Sequence, residues 1–250
     1  RTDKEVADWV ASENAVTDAF LAKLPGRDTL KKRITQLTDY ERFGLPTEKS
    51  GHYFYTRNDG LQNQSVLYVR DGLDGEARVL IDPNEWSEDD ATALGGYSIT
   101  EDGSKLAYLI QDGGSDWRTV KVMDVATGDV LDDTVEWVKF SALDWAKDGS
   151  GFYYSRFPAT GEGETFQALN TNQQVYFHTL GTDQDADTLV YETPDQPELN
   201  HTAQVSDDGR WLVVTSSAAC PHRGSAPRAP GCGLRGHPCP SATLAFCAEG

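Results

Sequence analysis

The sequence predicts a mainly β chain, built from recurring units of about four short strands and preceded by N-terminal helices. Three observations predict it. From about residue 50, apolar residues fall in short alternating runs separated by Gly and Asp clusters, as hairpins require. A strand, an Asp-Gly turn and a second strand recur with Asp at 102, 148 and 208, spacings of 46 and 60. Before residue 47 the apolar residues sit instead at helical spacing.

The first helix is expected to begin at a capping box made by Thr2 and Glu5, whose side chains would satisfy orphan backbone N–H groups. Val6, Trp9, Val10, Ala15, Phe20, Leu21 and Leu24 leave it an uneven apolar face, and Pro25-Gly26 stops it. A second helix is expected from Asp28, with Leu30, Ile34 and Leu37 on one stripe, ended by Gly44-Leu-Pro46. Residues 1–46 therefore read as one helical segment.

The strands follow in order. His52–Thr56, Ser65–Val69, Leu106–Ile110, Thr119–Met123, Gly151–Ser155 and Gln174–His178 are rich in β-branched and aromatic residues. Ile99-Thr-Glu-Asp-Gly-Ser-Lys-Leu-Ala-Tyr108 aligns with Asp144-Trp-Ala-Lys-Asp-Gly-Ser-Gly-Phe-Tyr153 and with Val205-Ser-Asp-Asp-Gly-Arg-Trp-Leu-Val-Val214. A degenerate first copy lies at Glu48-Lys-Ser-Gly-His-Tyr-Phe-Tyr55. Repeats of this length mark the blades of a β-propeller, and a β-sandwich with ordinary Asp-Gly turns is the competing reading. One blade cannot bury both its faces, so blades must stack. Residues 47–217 hold about three blades plus one hairpin, too few to close an ordinary ring.

The tail breaks the pattern. From Ala218 to Gly250, 24 of 33 residues are Ala, Pro, Gly, Cys or Arg, and all four cysteines (Cys220, Cys232, Cys239, Cys247) lie there. The tail carries +2, which leaves −20 for residues 1–217, and it shows neither period 2 nor period 3.6. A flexible or disordered tail explains its Pro and Gly but not its cysteines. A metal or disulfide knot would use those cysteines with His222 and His237, but the gaps match no zinc spacing. A reading-frame slip in GC-rich DNA explains the abrupt switch after Trp211–Thr215, and it is the reading favoured here.

Charge and hydropathy exclude several functions. A net charge of −18 argues against nucleic-acid binding, which needs a basic face. No apolar run approaches the roughly 18 residues of a spanning helix, so no membrane partner is expected. The chain begins at Arg1 without Met or an apolar leader and reads as a processed protein or a fragment. Asp183-x-Asp-x-Asp187 has the start of a calcium loop but Thr188 and Pro194 at the required Gly and Glu positions, so it reads as a solvated turn. Ser87-Glu-Asp-Asp90 is a helix start or an acidic loop. No Gly-x-Gly-x-x-Gly or Walker loop occurs. No metal site and no cofactor are expected.

Seven strings carry a resemblance. They are Trp9-Val-x-x-Glu-Asn-x-x-Thr17, Asn58-x-Gly-Leu-Gln-Asn-Gln-Ser-Val-Leu-Tyr68, Gly114-Ser-Asp-Trp117, Glu136-Trp-Val-Lys-Phe-Ser141, Trp145-x-x-Asp-Gly149, Val175-Tyr-Phe-His-x-Leu-Gly-Thr-Asp-Gln184 and Ser206-Asp-Asp-Gly-Arg210. In this order they resemble the N-terminal part of the prolyl oligopeptidases, across essentially all of residues 1–217. The resemblance implies a serine endopeptidase, cytosolic or periplasmic, that cuts short peptides after proline. It implies an α/β-hydrolase domain, on which the N-terminal helices pack, joined to a seven-bladed propeller that screens out large proteins. Short proline-containing peptides are the implied partners. It also implies that Tyr153, within Phe152-Tyr-Tyr154, stands where the family places an aromatic near the substrate; an inter-blade contact is the alternative for that residue.

The family's triad would need a Ser elbow, an Asp and a His in that order. No Gly-x-Ser-x-Gly occurs, and Gly149-Ser-Gly151 and Gly113-Gly-Ser115 read as turns. His52, His178 and His201 read as structural or surface residues of the strand region. No catalytic residue is therefore assigned. The chain is expected to be a propeller fragment truncated inside the ring and inactive alone, contributing a filter and a wall of the substrate cavity. The alternative is a non-catalytic propeller module that binds a partner through its open blades.

Overall fold

The structure is a computed structural model, and it describes residues 3–161, 168–218 and 241–247. Helices α1 (Lys4–Leu21) and α2 (Arg27–Thr38) come first. Thr2 of the expected capping box lies outside the described residues. The cap is Asp3, whose carboxylate accepts the Glu5 N–H at 2.8 Å and meets the positive end of the helix dipole. Helix α2 ends at Thr38, well before the Gly44–Pro46 stop that the sequence suggested. The Thr38 hydroxyl turns back onto the Ile34 carbonyl at 3.0 Å. The Arg42 guanidinium then donates to Asn58 Oδ1 (2.9 Å) and the Gly60 carbonyl (3.1 Å), docking the chain onto the first sheet. Neither helix buries a residue, and Trp9, Phe20 and Ile34 are each about three-fifths exposed.

Four blade-like sheets follow. The first holds β1 (Arg42–Phe43), β2 (Thr47–Lys49), β3 (His52–Asn58), β4 (Val66–Asp71) and β5 (Ala77–Ile81). The second holds β6 (Ala93–Ile99), β7 (Lys105–Gln111), β8 (Arg118–Asp124) and β9 (Val130–Val138). The third holds β10 (Asp144–Trp145), β11 (Gly151–Arg156), β12 (Gln174–Thr179) and β13 (Thr188–Tyr191). One residue pair, Arg156 with Val138, joins second and third into a single ladder. The fourth sheet is β14 (Leu199–Val205), β15 (Trp211–Ala218) and β16 (Ser241–Cys247), all antiparallel. Each of the six runs expected as strands lies within or against one of these strands.

The core explains why a repeat was visible. Leu106 and Tyr108 of β7 point to the first sheet and pack with Phe54, Leu67 and Val69. Ala107 and Leu109, one step along, point to the third sheet and pack with Trp145, Phe152 and Tyr154. The period of two thus buries both faces of the second sheet. A third cluster, Val175 with Ala203, Leu212 and Val214, joins third to fourth. The architecture is mainly β, with stacked blades and two helices at the N-terminus.

The Asp-Gly repeat is a hydrogen-bonded turn. Asp102 accepts from the Thr100 hydroxyl and from the Ser104 amide and hydroxyl, which holds its carboxyl at about 2. Asp148 and Asp208 repeat the arrangement with Ser150, and with Ser206 and Arg210. These turns lie at one end of the stack, where Glu101 receives Lys49 (2.8 Å) and Lys147 (3.1 Å) from the sheets on either side.

One expectation needs correction. Asp183–Asp187 is not a solvated turn throughout, because the Asp187 side chain is fully buried between His178 and Tyr154. Of the two readings of Ser87–Asp90, the acidic loop is the one observed, as a turn. Tail residues 219–240 and 248–250 lie outside the described residues, with Cys220, Cys232 and Cys239 among them. Residues 241–247, where no periodic element was expected, pair with β15 over its length. A ladder is made by backbone groups, and the open edge of β15 offers them whatever the side-chain pattern.

Candidate functional site

Antiparallel strands send alternate turns to opposite ends of the stack. Opposite the Asp-Gly turns lie the β7–β8 turn (residues 112–117), the β9–β10 connection and the segment that leaves β11. There the chain forms a cleft of about 840 Å³, with Ser115, Trp117, Arg118, Trp137 and Lys139 in its lining.

Backbone irregularity makes this cleft. The pairing of β8 with β9 shifts register between Arg118 and Val120, where Val138 and Val135 are the partners. Glu136 and Trp137 therefore oppose one residue, a β-bulge that re-aims a side chain. Trp137 has φ +63° and Phe140 has φ +52°, the left-handed region that bulky residues rarely occupy. Such strain persists only when the surroundings impose it, and it gathers at functional sites.

The bulge brings aromatic rings together. Trp137 meets Trp117 edge-on, with centroids 5.7 Å apart and planes at 85°. Phe157 stands against both Trp117 and Phe140. The Lys139 ammonium lies 5.0 Å from the Trp117 ring and 5.2 Å from the Phe140 ring. Its nearest carboxylate, Asp116, is 3.9 Å away. Aromatic walls with one largely buried cation suit an apolar ring joined to a carbonyl or carboxylate. Among the described residues no histidine lines the cleft, and the Ser115 hydroxyl accepts the Trp117 N–H as part of a turn.

Tyr153 lies elsewhere. Its ring is 4.8 Å from Phe177, and it packs beside the Val175, Ala203, Leu212 and Val214 cluster, where third and fourth sheets meet. Burial, followed by the charge of Asp148, pushes its phenol up. It is not in the lining of the cleft.

The three histidines among the described residues have structural surroundings. His52 Nδ1 is 2.6 Å from Asp71 at an exposed position. His178 is completely buried, with Nδ1 2.7 Å from Asp187 and Nε2 3.1 Å from Asp133. Burial works against its charge, but both carboxylates more than offset that and hold its pKa above the ordinary value. His201 is also completely buried, and burial lowers its pKa. Its Nδ1 is 2.8 Å from Ser216 Oγ, the spacing of a serine–histidine dyad. The other nitrogen faces the Thr193 hydroxyl at 3.1 Å rather than a carboxylate, and Ser216 is only 3 % exposed. A substrate has no path to this pair, and no acid holds the imidazolium.

Sequence reasoning did not find Gln173, Asp133 or the burial of Asp187. Gln173, Asp133 and the Tyr154 partner of Asp187 make contacts across 28 to 45 residues, and no spacing announces them. The cleft was closer to view, since Gly114–Trp117 and Glu136–Ser141 were two of the resembling strings. Among the described residues, no cluster of three His, Cys, Asp or Glu side chains could hold a metal ion. No helix among them is long and apolar enough to cross a membrane.

The family model for the prolyl oligopeptidase N-terminal β-propeller domain matches residues 1–225. The chain belongs to this family. It is 39% identical over 211 residues to the prolyl endopeptidase of Elizabethkingia meningoseptica, covering 84% of this chain and 30% of that protein. It is 30% identical over 231 residues to the dual function macrocyclase-peptidase of Amanita bisporigera, covering 84% and 32%. A solved prolyl endopeptidase is 49% identical, with a TM-score of 0.66 over 88% of this chain and 31% of that one. Prolyl oligopeptidase B of Galerina marginata, solved with a 25-residue macrocyclization substrate, is 28% identical with a TM-score of 0.76 over 86% and 33%. The chain thus spans about a third of the length of the relatives it matches and corresponds to their N-terminal propeller part.

Proposed function

We propose that this chain is the propeller part of a serine endopeptidase that cuts short peptides after proline, and that its cleft is one wall of the peptide cavity. The observation that carries the reading is the strained aromatic cleft at Trp117, Trp137 and Lys139, with the Phe140 ring against Lys139. It opens at the end opposite the Asp-Gly turns, and the chain leaving the helices docks at that same end, through Arg42 on Gly60. A hydrolase domain covering this end would close the cavity and receive the uncovered apolar faces of residues 1–46. A pyrrolidine ring stacks on indole, and the Lys139 ammonium would face a peptide carbonyl. Tyr153 serves this wall indirectly, through the contact between third and fourth sheets. The compartment proposed is the cytosol or periplasm. Alone, the chain binds but does not cleave, because acyl transfer needs a nucleophile, base and acid that the described residues do not bring together.

The test uses the purified 250-residue chain. A Gly-Pro chromogenic amide is expected to release no product, and short proline-containing peptides are expected to change tryptophan fluorescence saturably. Trp137→Ala should abolish that change. Cleavage stopped by a serine-directed inhibitor, or binding indifferent to Trp137→Ala, would overturn the reading.

A further inference from the structure

The segment from Glu136 to Phe140 is strained at Trp137 and at Phe140, yet its rings are held in one arrangement. Something must impose it. Two glutamines from the third sheet do so, each using both ends of its amide on main-chain groups.

Gln184, on the turn after β12, accepts the Glu136 N–H at 2.9 Å and donates to the Glu136 carbonyl at 3.1 Å. It mimics a strand partner at the residue where the bulge leaves the ladder without one. Gln173 does the converse work from inside. It is 1 % exposed, and it donates to the Lys139 carbonyl at 2.8 Å and the Phe140 carbonyl at 3.4 Å. Its own oxygen accepts the His201 N–H of β14 at 2.5 Å. A buried carbonyl or amide without a partner is costly, so the Gln173 contacts strongly favour the observed backbone, while the more exposed Gln184 pair holds Glu136 by its two-point geometry. The Phe157 amide adds one bond, to the Trp137 carbonyl at 3.1 Å.

We propose that Gln184 and Gln173 are positioning residues: together they clamp the two ends of residues 136–140, fix the Trp137 and Lys139 side chains as the cleft wall with Phe140 packed against Lys139, and tie that wall to the fourth sheet. The proposal rests on the reading of the cleft as a peptide-binding wall. Neither glutamine is in the lining of the cleft, so each acts through the backbone it holds. The link to β14 makes the wall sensitive to the packing of the fourth sheet, where Tyr153 also sits.

The experiment compares Gln173→Met and Gln184→Met in the full chain, each isosteric and unable to hydrogen-bond through its end. Amide hydrogen exchange is read at residues 136–141, at Phe157 and in the first sheet, with peptide binding measured on the same samples. Each variant is expected to speed exchange at 136–141 and at Phe157 about tenfold or more, and to leave β3 and β4 within about twofold. Gln173→Met should also expose the His201 amide, and Gln184→Met should not. Peptide affinity should fall about tenfold in both. Gln184 is only half-buried, so its variant stays informative if Gln173→Met fails to fold. Unchanged exchange at 136–141, or an equal rise in the first sheet, would overturn the clamp. If the wall loosens as described but wild-type chain binds no peptide, the peptide-wall reading falls and the clamp stands.

Discussion

His178 and Asp187 are joined by a 2.7 Å hydrogen bond, and neither side chain reaches solvent. Tyr154 donates to the other oxygen of Asp187, and Asp133 stands at the far nitrogen of the imidazole. A histidine so placed is more stable charged than it would be in the unfolded chain.

The sign of the pH dependence follows. His178 has a raised pKa, so its stabilisation is complete below the unfolded value of 6.5 and is lost as pH rises through the folded value. His201 has a lowered pKa, so its contribution is complete above 6.5 and is lost as pH falls through its folded value. Urea midpoints measured from about pH 5 to about pH 9 should be highest near about 6.5 and fall on both sides. His178→Phe should cost about 3 kcal/mol or more, since it strands two buried carboxylates, and should flatten the alkaline flank. An alkaline flank that persists in this variant would count against the assignment.

The Asp-Gly turns lock neighbouring sheets together, and glycine is needed there for two separate reasons. Gly103 has φ +73°, and a Cβ would lie 2.9 Å from the His52 ring and 3.0 Å from the Lys49 carbonyl. Gly128 has φ +80° with open space around it. Gly128→Ala should cost only the left-handed strain, about 1–2 kcal/mol. Gly103→Ala should cost more, because the first and second sheets must also separate at that turn. Thermal melts of the two variants decide it, and equal losses would remove the interlock.

The helices should behave as a separate, weak unit. They span 18 and 12 residues and bury none of them, and isolated helices of that length are marginal. Limited proteolysis is expected to cut within residues 4–38 first. Deleting residues 1–38 should lower helical circular dichroism but leave the melting temperature of the sheets unchanged. A drop of several degrees would show that the helices brace the sheets.

Much of the fold was legible because its signals are local. Short β-branched and aromatic runs place β3, β4, β7, β8, β11 and β12; successive side chains face opposite sides, and where both sides are buried, as in β7, the run is apolar throughout. Asp102, Asp148 and Asp208 were visible as a repeat because each turn satisfies its own carboxylate within two residues. Helix α2 was drawn too long, because its end depends on Arg42 docking on Asn58 and Gly60, which no local pattern shows. The strand at 241–247 escaped for a similar reason, since the edge of β15 supplies its partner.

The sequence by itself determined the class of the chain, its blade units and its family resemblance, because alternation, turn chemistry and long matching strings are written along the chain. It also settled that no nucleophile elbow is present in these 250 residues. Only the tertiary structure decided that Tyr153 packs between sheets, that Asp187 is buried beside His178, and that a bulge turns Trp137 toward Trp117. It alone shows Gln173 and Gln184 holding that bulge from the next sheet. The physical reason is distance along the chain: the bonds of Tyr154 to Asp187 and of the two glutamines to residues 136–140 join positions 33 to 48 apart, and stacking of the sheets brings them together.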